Sequence, residues 1–272
     1  MVVCAATTSW RDLDQDSLVA CDGSPAFLTG RWTRFGSPLD GLDWWPMTSQ
    51  RSPRAWILTG GWPGHDPEGV AAWTAERLAS LSVSAEVVRD LDALLDTAAL
   101  DELALLAPNW SWGSLSQPQE AALVAAVERG LGLVGTHGGM GDTSRGSLKY
   151  QWLVGGQFVA HPGDVCPHRV TFDPGSPLLG DLPAAELTTE RYVMLIDPAV
   201  SVHARLTLGA DPLPWLDGVQ VPVAWTRRWG AGRVAYLSVG HSVDDLRVPA
   251  ISTAFERLAG WARGDRPSGD GR

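Results

Sequence analysis

The stretch Leu131-Gly-Leu-Val-Gly-Thr-His137-Gly-Gly139 constrains this chain more than any other segment. An apolar run of strand character feeds a Gly-x-His-x-Gly turn. Glycines on either side of a residue permit the strained elbow that lifts its side chain off the end of a strand. Enzymes with such elbows place a Ser or Cys nucleophile at the centre. Here the centre is His137, a residue that binds metal or carries protons but makes a poor stable acyl carrier.

The residues around the elbow extend this pattern into a fold. Residues 55–59 are apolar and strand-like, and residues 68–81 repeat Val70, Trp73, Leu78 and Leu81 at helical spacing. Residues 85–88 predict a second strand, 91–95 a short helix and 103–107 a third, buried strand. Ser116 caps a helix that starts at Gln117-Pro118, runs to Arg129 and ends at Gly130. Near-continuous apolar strands separated by helices predict an α/β fold with a mostly parallel sheet covered on both faces. Ligands then bind beyond the carboxyl ends of the strands. Gly60 to His65, Asn109 to Trp112 and Thr136 to Gly139 all fall there. The second half is strand-rich, with extended patterns at 170–172, 192–196, 202–208, 222–229 and 233–239. Gly230-Ala-Gly232 predicts a hairpin turn, and a helix over 248–261 presents Ile251, Phe255, Leu258 and Ala259 on one face.

Composition removes several function classes. The 272 residues carry 21 basic and 31 acidic side chains, a net charge of -10, which disfavours a nucleic-acid partner. No apolar run suggests a membrane span and no basic-then-apolar start suggests a secretory signal, so a cytoplasmic location is expected. Cys4, Cys21 and Cys166 match neither a disulfide framework nor metal spacing. Residues 1–50 hold Trp10, Trp32, Trp44 and Trp45 without helix or strand period. They are expected to be an irregular extension, with Met47 as the natural start, or else to pack through their tryptophans. The domain is expected over 51–263, with a frayed tail at 264–272. Exposed tryptophans leave room for a homo-oligomer.

Several segments then align in order. Gly61-Trp-Pro-Gly-His65, Gly135-Thr-His137, Leu153-Val-Gly-Gly-Gln-Phe-Val-Ala-His161-Pro162, Glu190-Arg-Tyr192 and the run from Pro222-Val-Ala-Trp225 through Tyr236 to His241 together resemble the ThuA-like trehalose-utilisation family over about residues 54–262. The resemblance implies a flavodoxin-like scaffold of the class I glutamine-amidotransferase type, without the glutaminase Cys, working in sugar catabolism. The chain departs from the family pattern in its 46-residue extension and in a short stretch between the elbow and Gly155-Gly156.

The chemistry is expected to rest on His65, His137, His161 and His241, four of six histidines, each beside a glycine or a strand end. With a carboxylate from Asp142 or Glu190 they would form a zinc-like divalent site, or without metal a proton relay. Any one imidazole taken alone is as easily a hydrogen-bonding group for loop backbone. Glu190 and Tyr192 alternate with Arg191 and so are expected on one face of a strand, as acid/base and hydroxyl donor, or as an ion pair with an edge tyrosine. Asp66 and Asp142 are expected to contact sugar or metal, or to cap turns. Trp62, Trp110, Trp112, Trp152 and Trp225 are candidates for stacking on a sugar, with one or two in that role and the rest in packing. Two functions remain: a lyase, isomerase or hydrolase acting on a sugar or keto-sugar, or a non-catalytic carbohydrate-binding module. Glutaminase activity is disfavoured.

Overall fold

The computed structural model describes residues 52–265, so the expectations for residues 1–50 and for most of the tail lie outside the described residues. Strand β1 (Arg54–Gly61) enters a 3-10 turn (Pro63–His65) and helix α1 (Pro67–Ser80). Strand β2 (Ser84–Val88), a 3-10 helix (Leu91–Leu95), α2 (Thr97–Asp101), β3 (Leu105–Ser111), α3 (Gln117–Arg129) and β4 (Gly132–Thr136) follow. Next come α4 (His137–Gly141), α5 (Leu148–Val154), β5 (Gly156–Ala160), β6 (Val165–Phe172), β7 (Ala185–Glu190), β8 (Val193–Ile196) and β9 (Ser201–Thr207). The chain closes through β10 (Gln220–Trp229), β11 (Gly232–Leu237), α6 (Val243–Leu246) and α7 (Pro249–Arg263).

A nine-stranded sheet runs in the order β2-β1-β3-β4-β11-β10-β9-β6-β7, and β5 pairs with β8 separately. From β2 to β11 all neighbours are parallel. From β11 onward they are antiparallel. The sheet is therefore mixed, parallel only over its first five positions. The hairpin at Gly230-Ala231 explains the switch, because a two-residue turn joins only antiparallel strands. The parallel strands are buried on both faces. Ala55 and Ile57 of β1 join one core with α1 and α7, while Trp56 and Leu58 join another with α2, α3 and α5. Ser116 caps α3 in a capping box with Gln119. The third strand starts two residues later than apolarity suggests and extends to Ser111, which pairs with Gly61. Leu103 is buried in the core ahead of the strand, so apolarity there marks burial rather than pairing. Among the described residues no helix is long and apolar enough to cross a membrane.

The antiparallel half brings the β7 edge of the sheet to the loop that follows the central strand β11. Thr189, the penultimate residue of β7, donates to Asp245 Oδ2 at 2.8 Å, and Asp245 also accepts from the Ser242 N–H at 2.8 Å. One carboxylate thus joins the end of β7 to the loop that follows β11.

Phe255 is buried against Trp73, 4.8 Å between ring centres, where α7 meets α1. Phe255→Ala is expected to cost about 3–5 kcal/mol in denaturant unfolding, and a loss below about 1 kcal/mol would contradict this packing. Asp66 caps α1, accepting from the Gly69 N–H at 3.1 Å. Asp66→Ala should cost about 1 kcal/mol of stability in the same assay while leaving ligand binding intact.

Candidate metal centre

Three imidazoles and one carboxylate meet beyond the carboxyl ends of the parallel strands. His65 closes the turn after β1, His137 opens α4 directly after β4, and His241 lies in the loop after β11. Glu190 ends β7 and reaches them from the other half of the sheet. One potential ligand atom from each of the four lies within 4.8 Å of every other. His137 adopts φ 42, the left-handed conformation expected of an elbow, at a cost of about 1–3 kcal/mol. Gly138 makes the close approach possible: a Cβ there would lie 2.4 Å from the His65 ring and 2.9 Å from the Tyr192 hydroxyl.

Hydrogen bonds fix the direction of each ring. His137 Nδ1–H donates to the Ser238 carbonyl at 2.9 Å, so in the neutral ring Nε2 carries a lone pair. That lone pair faces Glu190 Oε2 at 3.2 Å. Two acceptors hold this separation only with a proton or a cation between them. His65 Nδ1 shares a hydrogen bond with Ser111 Oγ at 2.7 Å. His241 Nδ1 lies 3.4 Å from Glu190 Oε2, buried and out of line for a hydrogen bond. Burial, then the neighbouring His137 and His241, lowers the His65 pKa to about 3, so this ring is neutral in ordinary buffers. Burial alone would raise the Glu190 carboxyl, but His137 and His241 outweigh it and hold the group well below the usual carboxylate range. The Glu190 carboxylate in turn raises His241, against the opposing effect of burial. A neutral His65 ring, the imidazoles of His137 and His241 beside the carboxylate and an ionised Glu190 make a donor set that fits a divalent cation. The backbone carbonyl behind His137 and the hydroxyl behind His65 are the outer partners that metal-binding histidines normally have.

The other expected residues fall at graded distances. His161 is partly exposed at the rim, with Nδ1 3.1 Å from Asp164 and 4.0 Å from Glu190 Oε1, outside the four-residue group. Tyr192 stacks on His137 at 3.9 Å. Burial, then the charges of Asp142 and Glu190, raises its hydroxyl far above the ordinary range, so it stays a neutral donor. Glu190 and Tyr192 do not share a strand face, because β7 ends at Glu190 and Tyr192 lies in the connection to β8. They converge through that bend, which Arg191 stabilises by donating to the carbonyls of Pro162 and Asp211. Asp142 is buried and paired with Arg145 rather than facing the imidazoles. Asp66 is the exposed cap of α1.

Trp62 sets its edge on His65 at 4.7 Å and stacks on Trp112 at 4.4 Å. Trp225 is completely buried and donates to the Val154 carbonyl at 2.9 Å, so it packs the scaffold and cannot stack on a ligand. Gly156 exists for that indole, since a Cβ there would lie 2.8 Å from its ring. Cys166 sits on β6, and burial raises its thiol pKa. Ser111, Ser238 and Tyr236, whose hydroxyl donates to the His137 carbonyl at 3.0 Å, support the site but escape the sequence reading. Only the placement of Ser111 at a strand end signals a role.

The family model for trehalose utilisation, ThuA, matches residues 54–262. A protein described as ThuA-like from Bacteroides uniformis ATCC 8492 superposes with a TM-score of 0.63 at 17% identity, over 80% of this chain and 95% of that one. Another from Parabacteroides merdae ATCC 43184 gives 0.65 at 13% identity, over 80% and 92%. A GH42 β-galactosidase from G. stearothermophilus shares the fold over 31% of its length, with a TM-score of 0.51 and 15% identity across 80% of this chain. No curated protein sequence matches. The ordered segments from Gly61 to His241 lie within the matched residues, and the chain belongs to the ThuA trehalose-utilisation family.

Proposed function

We propose that this protein is an enzyme of trehalose or related-glycoside breakdown, acting on a sugar or keto-sugar at a zinc-like cation held by His65, His137, His241 and Glu190. One observation carries the reading: His137 Nε2, on a ring whose Nδ1 is committed to the Ser238 carbonyl, and Glu190 Oε2 face each other at 3.2 Å beside a buried His241 nitrogen without a hydrogen bond. A divalent cation held there would polarise a sugar carbonyl or lower the pKa of a water. Tyr192, kept neutral, holds an O–H beside the cluster to donate to a sugar oxygen. His161, at the rim and 4.0 Å from Glu190, is placed to carry a proton between the site and solvent. The reaction class is a lyase, isomerase or hydrolase on an amidotransferase-like, flavodoxin-type scaffold. Glutaminase chemistry is not part of it, because the elbow carries His137 and Cys166 lies on β6. A small-molecule sugar is the partner and the cytoplasm the location in this proposal.

Protein purified without chelator should contain about one zinc-like ion per chain, measured by mass spectrometry of the metal. In calorimetric zinc titrations Glu190→Gln and Ser111→Ala should weaken binding about 10–100-fold, the usual effect of losing a ligand or its outer partner. His137→Ala should reduce conversion of trehalose or its keto derivative at least about tenfold. Undiminished zinc affinity in Glu190→Gln would move the cation elsewhere. A metal-free protein whose His137→Ala variant binds sugar like the parent would make it a non-catalytic binding module.

A further inference from the structure

We propose that Asp245 is a positioning residue of the cation site: its carboxylate ties the strand that ends in Glu190 to the loop that carries His241, and so holds those two ligands together. The inference rests on the cation reading above and adds to it the group that sets the spacing of its ligands.

Glu190 is the last residue of an outermost strand. β7 pairs with β6 alone, in a register that ends with Val165 opposite Glu190. Backbone pairing on one side only leaves the end of such a strand prone to fray. His241 lies in the loop between β11 and α6, next to Gly240 at φ 127, beyond the last paired residue of β11. The 3.4 Å between His241 Nδ1 and Glu190 Oε2 is therefore set outside the sheet's own ladder.

One carboxylate oxygen supplies the link. Asp245 Oδ2 accepts from the Thr189 hydroxyl at 2.8 Å and from the Ser242 N–H at 2.8 Å. Thr189 immediately precedes Glu190, and Ser242 immediately follows His241. Each ligand is thus one residue away from a bond to the same oxygen. The bond to Ser242 belongs to the capping box of α6, a helix of only four residues. A capping box needs neither burial nor a donor from a distant strand. Here Asp245 is 8% exposed and Thr189 1%, and their bond joins residues 56 apart in sequence. The same loop begins at Ser238, whose carbonyl receives the His137 Nδ1–H at 2.9 Å. Asp245 anchors the far end of a loop whose near end directs a third ligand.

Zinc-titration calorimetry on Thr189→Val, Thr189→Ser, Asp245→Ala and the double variant Thr189→Val/Glu190→Gln tests this, with circular dichroism to verify folding. Thr189→Val keeps the side chain's size and the capping box and removes only the cross-link. Zinc affinity should fall at least about tenfold in Thr189→Val and in Asp245→Ala, as for other groups that orient metal ligands. Thr189→Ser, which restores the hydroxyl, should recover most of it. Because Thr189 acts through Glu190, the double variant should bind zinc no more weakly than Glu190→Gln alone. Undiminished affinity in folded Thr189→Val, no recovery in Thr189→Ser, or losses that add fully in the double variant would overturn the positioning role and leave the cation site standing. If Asp245→Ala does not fold, the Thr189 variants decide the matter. A parent protein that binds no zinc would overturn the cation reading and the positioning role together.

Discussion

The Glu190 carboxylate is the group on which the rest of the site depends. It is ionised and largely buried, and its neighbours come from strands that are not adjacent to its own. A carboxylate in that setting is costly unless paired, and here its partners are imidazoles already directed by other contacts. The Asp245 bridge between Thr189 and Ser242 explains how β7, at the sheet edge, delivers this charge to loops at the centre. The antiparallel half of the sheet is therefore part of the site and not a lateral addition to it.

The elbow gives the second constraint. At the turn after β4, where some α/β hydrolases carry a nucleophile, His137 sits here with left-handed φ. The residue it presents is anchored at both ends. Its Nδ1–H is committed to Ser238, and its carbonyl accepts from Tyr236. A ring held in this way offers Nε2 in one direction only, which suits a metal ligand or proton carrier better than a covalent catalyst. Trp112 repeats the pattern on the rim, strained backbone holding a side chain that the core does not use.

Much of this was legible in the residues. Runs buried on both faces marked the parallel strands, Ser116 and Gly130 bounded α3, and the strand ends named His65 and His137. What stayed hidden depends on contacts between distant segments. The bend at Arg191 cannot be read from alternation, because β7 and the residues after it look like one extended run. The alternation around Glu186 and Thr188 that makes β7 was too polar to stand out. Trp225 and Trp112 are alike as letters; only packing shows that one is sealed beneath Gly156 and the other open to solvent. Asp66 and Asp142 were ambiguous between turn and ligand, and local hydrogen bonding took both.

Anomalous diffraction at the zinc edge, from crystals grown without chelator, tests the central claim most directly. The account predicts one peak in bonding contact with His65, His137, Glu190 and His241. Density showing Glu190 bonded straight to a protonated His137, with no peak between the rings, would contradict it.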